Sequence, residues 1–111
     1  MREIVLDIET TGLDYKYGDK IIEIACVELS NFIPTGNKYH SFINPENKKS
    51  NSSAKEKHGI SDEFLEDKKI FKEIAPNFLK FIKDSHIIAH NGANFDIPFL
   101  NYELKFNKIN F

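Results

Sequence analysis

The chain has 111 residues, 41% of them hydrophobic, with ten Phe and no Trp, enough for one modest domain with a real core and no more. A net charge of −2 argues against a broad basic face for coating DNA, but not against an enzyme that grips a few nucleotides. No apolar run approaches the roughly 18 residues of a membrane span, so no membrane partner is expected. Met1-Arg2-Glu3 enters a strand directly, with no room for a signal peptide, and the lone Cys26 cannot form an internal disulfide; both fit a cytoplasmic protein.

Residues 3–9 read as the first strand. Ile4-Val5-Leu6 leads into Asp7 and Glu9, which lie two residues apart and so point to the same face. So apolar a run predicts a central strand buried on both faces. Two acids at its end, followed by the turn residue Gly12, suggest a metal site; the alternative is a strand running out into an acidic loop. Residues 14–20 are a polar turn, and residues 21–29 are the second strand, with Glu23 an exception on one face. Residues 30–37, with Pro34 and Gly36, read as a hairpin turn, and Tyr39–Ile43 as the third strand.

Residues 46–57 read as a loop with about one helical turn near Ala54. Ser61 caps a short helix whose apolar face is Phe64 and Leu65. Phe71, Ile74, Phe78, Phe81 and Ile82 recur at helical spacing, predicting a helix over 71–83 that Pro76 kinks or restarts. His86–His90 is the fourth strand. Asn94 is the expected N-cap of a last helix, with Pro98 harmless in its first turn and Phe95, Phe99, Tyr102 and Phe106 forming one aromatic stripe. The order implies an α/β fold with helices packed on a mixed sheet. Asp96 falls at the start of the last helix, where the dipole favours acids in any protein; beside Asp7 and Glu9 it is a third acid able to converge on one site.

Three segments, Asp7-Ile8-Glu9-Thr10-Thr11-Gly12-Leu13, His58-Gly59-Ile60 and His90-Asn91 through Phe95-Asp96, resemble the DEDD exonucleases. From residue 2 to about residue 104 the chain is similar to the epsilon-type, proofreading subunits of bacterial DNA polymerase III, with Lys20–Ile24, Pro34–Asn37 and Asp62–Leu65 also matching. The resemblance implies an RNase H-like mixed sheet, a three-strand meander plus a fourth parallel strand, truncated before the fifth. It implies 3′→5′ removal of nucleoside monophosphates from a DNA 3′ end by hydrolysis with two divalent cations. Asp7 would bridge both, Glu9 would help hold one, and Asp96 would support the other. Hard carboxylate oxygens suit Mg²⁺ or Mn²⁺, and no Cys/His cluster suggests zinc. Thr10, Thr11, Gly12 and Leu13 would lie against the terminal nucleotide. His58 is either a neighbour of that nucleotide or an ordinary loop histidine. Asn91 is a candidate on the substrate side, although it and His90 fit structural support better than catalysis. His40 and His86 read as structural.

The family's third motif, a His followed after four residues by an Asp, supplies the general base and the fourth metal ligand. It is not found: His58 is followed five positions on by Glu63, and His90 six positions on by Asp96. A general base is worth about 10²–10⁴ in rate. The expectation is therefore a single exonuclease domain over 1–111, C-terminally incomplete, with apolar sheet surface left uncovered and little activity alone. Two alternatives stand: half of a split exonuclease completed by a complementary C-terminal polypeptide, or a non-catalytic remnant that binds nucleotides or single strands. A polymerase III catalytic subunit enters as a partner by resemblance only.

Overall fold

A computed structural model describes residues 1–90 and 95–109. Strands β1 (Arg2–Thr10), β2 (Ile21–Ser30) and β3 (Ile33–Phe42) form the meander. They are followed by helices α1 (Ser52–His58), α2 (Asp62–Leu65) and α3 (Phe71–Ile82), strand β4 (His86–Ile88) and helix α4 (Asp96–Phe106). Among the described residues the sheet order is β3-β2-β1-β4. β2 is antiparallel to both its neighbours, and β4 lies parallel to β1. This is the expected mixed sheet.

β1 differs from expectation in one respect. Ile4, Leu6 and Ile8 are buried in a core with Ile24 and Cys26 of β2, Phe71, Ile74 and Phe78 of α3, and Phe99, Leu100 and Leu104 of α4. On the other face Val5 is 37% exposed, Asp7 is exposed and Glu9 is half-buried. Both long helices pack on one side; on the other face β1 opens to solvent only from Val5 onward, Glu3 being buried with its Oε1 accepting from Phe32 N–H at 2.7 Å. The run Ile4-Val5-Leu6 hides an ordinary alternation in which Val5 is the apolar member of the open face. Burial also pushes the Cys26 thiol up to about 12, as fits an inert core residue.

The β2–β3 connection is tighter than the sequence implied. Asn31 and Phe32 make the turn, both with positive φ (48° and 67°), and Pro34 and Gly36 lie inside β3. β3 is an edge strand, where Pro34's missing N–H costs no ladder bond. Gly36, at φ 93°, sits where the β2–β3 register shifts between Val27 and Leu29. Glu28 fills that irregularity. Hydrogen bonds from Arg2, then from Thr35 and Asn37, hold its carboxyl at about 2.

Asn51 caps α1, its Oδ1 accepting from Ala54 N–H at 2.8 Å, and carries the helix further than the single turn expected. Ser61 caps α2 as expected, its Oγ accepting from Phe64 N–H at 3.1 Å. Leu65 is buried, whereas Phe64 is 44% exposed. Pro76 neither restarts nor ends α3. β4 stops at Ile88 rather than His90. α4 starts after Phe95, and the proposed cap Asn94 lies outside the described residues. The aromatic stripe grips the loop after β1: Tyr15 packs on Phe99 and Tyr102, with ring centroids 5.4 and 5.1 Å apart. No helix among the described residues is long and apolar enough to cross a membrane.

Glu103 joins α4 to the sheet. It is 2% exposed, and its Oε1 accepts from Ile21 N–H at 3.1 Å. Burial is the main cause that raises its carboxyl above the usual range. A carboxyl raised in the folded state binds more protons there than in the unfolded chain. Its effect is therefore to lower stability as pH rises from the ordinary Glu range through the raised value. Glu103→Gln should flatten that fall while keeping an acceptor for Ile21. Glu103→Leu should cost about 1–3 kcal/mol by orphaning the N–H. Urea unfolding of both variants across pH 4–8 checks this.

Candidate active site

The open face of β1 and the first turn of α4 build one cleft of about 770 Å³, lined by Asp7, Glu9 and Asp96 together with Lys57, His90 and Phe95. Asp7 and Glu9 arrive there by strand alternation. Asp96 arrives by the packing of Phe99 and Leu100, which aims the first turn of α4 at the sheet. Asp96 is 4% exposed. Burial first, and then the charge of Asp7, raise both Glu9 and Asp96 above the usual carboxylate range. Lys57 opposes the rise at both, and His90 opposes it at Asp96. Burial and a like-charged neighbour both disfavour the ionised form of each acid.

The donor set is all carboxylate oxygen, which fits a hard divalent cation. Among the described residues, no three Asp, Glu, His or Cys side chains stand close enough to share one ion. An ion here would take at most two of the acids, leaving other positions to water or phosphate oxygen, as Mg²⁺ commonly does.

A second cleft of about 510 Å³ shares Glu9, Leu13, Lys57 and Phe95 with the first and adds Thr10, Gly12 and His58. Thr11 does not line it. Its fully buried hydroxyl donates to Asp19 Oδ1 at 2.9 Å and accepts from Lys20 N–H at 3.0 Å, and its carbonyl accepts from Asn51 N–H at 2.9 Å. Thr11 therefore ties together the loop that shapes the cleft. Thr10 Oγ donates to the Gly12 carbonyl at 2.7 Å, so its hydroxyl is also committed. A Cβ on Gly12 would collide with the Asp19 carboxylate. Leu13 is 79% exposed at the mouth of both clefts.

His58, the last residue of α1, lines the second cleft. Its Nδ1 accepts from Ile60 N–H at 2.9 Å, which puts the neutral ring's proton on Nε2, 3.3 Å from Ser50 Oγ. Burial lowers its pKa, so the ring stays neutral. Asn91 lies outside the described residues. His40 and His86 are away from both clefts, and His40 Nε2 lies 2.6 Å from Glu23 Oε2. Asp19 and Lys57 border these clefts without any local sequence signal. Asp19 follows Gly12 at a distance no local pattern marks, and Lys57 falls in a stretch read as loop.

Residues 4–110 match the RNase_T family, described as Exonuclease. The chain belongs to this exonuclease family. It is 54% identical over 108 residues to the DNA polymerase III subunit epsilon of Rickettsia prowazekii, covering 97% of this chain and 46% of that protein. To the Escherichia coli subunit of the same name it is 43% identical over 111 residues, covering 96% and 45%. The chain thus spans about half the length of these relatives. Among solved structures, Escherichia coli exonuclease I, in the metal-free form of its complex with single-stranded DNA, superposes with a TM-score of 0.88. The identity is 18%, over 98% of this chain and 24% of that one. That likeness establishes the RNase H-like exonuclease fold.

Removing the charge of Asp7 tests the electrostatics of this cleft. In metal-free Asp7→Asn, the titrations of Glu9 and Asp96, followed by side-chain carboxyl NMR, should move down toward ordinary values while Glu103 stays put. Unmoved titrations would show that Asp7 is not their neighbour.

Proposed function

We propose that the chain is the exonuclease portion of an epsilon-type proofreading enzyme, acting 3′→5′ on DNA ends and releasing nucleoside monophosphates. The observation that carries this is the convergence of Asp7, Glu9 and Asp96 on one cleft, in a chain 54% identical over 97% of its length to a subunit of that name. The proposed cofactors are two divalent cations, Mg²⁺ or Mn²⁺. Bound at the three acids, they would supply an activated water and neutralise charge on the phosphodiester. Asp7, whose charge acts on both other acids, is the natural shared ligand. Thr10, Gly12, Leu13 and His58 form the wall for the terminal nucleotide. Neutral His58, with Nδ1 committed to Ile60, acts there as a hydrogen-bond donor and not as a base.

No general base is in place among these residues, since no His is followed after four residues by Asp. That motivates the reading of residues 1–111 as one part of the enzyme, to be joined by a C-terminal polypeptide that supplies base and fourth ligand. A DNA polymerase III catalytic subunit is the proposed partner of the assembled protein, by analogy with the relatives' name.

Purified residues 1–111 should release nucleotides from single-stranded DNA at less than about one-thousandth of the rate of a full-length relative. Adding the C-terminal half of the Rickettsia prowazekii protein should raise that rate, and Asp7→Asn should abolish the gain. Robust release by the pure chain would overturn the incomplete-site reading.

Metal binding gives the second test. Because Glu9 and Asp96 hold protons more readily than free acids do, Mn²⁺ must displace them. Calorimetric affinity should therefore fall as pH drops from about 8 to 5. An affinity indifferent to pH, or to Asp7→Asn, would refute the metal site.

A further inference from the structure

The last turn of α1 carries Lys55, Lys57 and His58. Lys55 is committed to Asp62, with Nζ 2.7 Å from Oδ2. His58 has Ile60 and Ser50 as neighbours. Lys57 is different. It is exposed, no carboxylate lies within 4.0 Å of its Nζ among the described residues, and it is the one Lys or Arg there that lines either cleft. It lines both, and so stands where the acidic cleft meets the Thr10–Leu13 wall. A cation beside three acids that forms no ion pair with them is placed for a further anion.

We propose that Lys57 is a phosphate-binding residue of this site, its ammonium taking a non-bridging oxygen of the 3′-terminal nucleotide's phosphate and of the nucleoside monophosphate released. The proposal rests on the reading of the clefts as a nucleotide site. Without Lys57, the lining beside Asp7, Glu9 and Asp96 would carry no lysine or arginine among the described residues to receive a phosphate. The long lysine stem lets the ammonium reach the phosphate as a point charge without a fixed geometry. Its place on a capped helix next to His58 couples phosphate capture to the nucleotide wall.

The test is calorimetric titration of dTMP and of thymidine into residues 1–111 with Mg²⁺, for wild type, Lys57→Met and Lys57→Arg, each checked for an unchanged melting temperature. Lys57→Met should weaken dTMP about tenfold and leave thymidine unchanged, and Lys57→Arg should recover most of the loss. For a short single-stranded DNA, the slope of log affinity against log salt should shrink by about 0.7 in Lys57→Met, the signature of one lost phosphate contact. Equal dTMP affinity in wild type and Lys57→Met overturns the proposal and leaves the nucleotide site standing. An equal loss for thymidine also overturns it, by showing that the stem only shapes the cleft. Failure of wild type to bind either ligand overturns the nucleotide site and this proposal together.

Discussion

β1 has to satisfy two solvents at once. Its even positions, Ile4, Leu6 and Ile8, are locked under α3 and α4, and that burial leaves no freedom of register. A slip of one residue would put Asp7 and Glu9 into an apolar core, where an unpaired carboxylate is too costly to survive ionised. The hydrophobic effect on one face thus positions the chemistry on the other. The remaining parts of the site depend on the same packing. Phe99, Leu100 and Leu104 hold α4 to the buried face and so hold Asp96 at its N-terminal turn, opposite the end of β1.

The loop between β1 and β2 is the second constraint. It is short of regular structure yet tied at several points: Thr11 to Asp19, Lys20 and Asn51, and Tyr15 to the aromatic stripe of α4. Asn51 both receives this loop and caps α1, which places His58 and Lys57 at the cleft. The Thr-Thr-Gly segment shapes the second cleft through its backbone course. Its hydroxyls are spent on internal bonds, and Gly12 leaves the room that Asp19 occupies.

Much of this was legible in the residues. The two-residue spacing that puts Asp7 and Glu9 on one face, helical spacing in α3 and the aromatic stripe of α4 are local patterns that the residues carry by themselves. The resemblance supplied the pairing of distant segments that no local pattern encodes. Where the reading of elements differed from the structure, the deciding terms were not local. Pro34 and Gly36 signal a turn, but an edge strand with a register shift accommodates both. Ile4-Val5-Leu6 suggests burial on two faces, but which face the helices choose is a property of the assembled sheet. Asp19 and Lys57 carry no sequence signal because their roles come from a loop and a helix end brought together by folding.

The central claim is that β1 and the start of α4 make one cation site. Paramagnetic broadening of backbone amide resonances by substoichiometric Mn²⁺ tests it residue by residue. The account predicts the strongest broadening at Asp7–Thr10 and at Asp96 and Ile97, weaker effects at Lys57 and His58, and none at Glu28 or Glu103. Broadening centred on other acids, with the amides of β1 untouched, would contradict it.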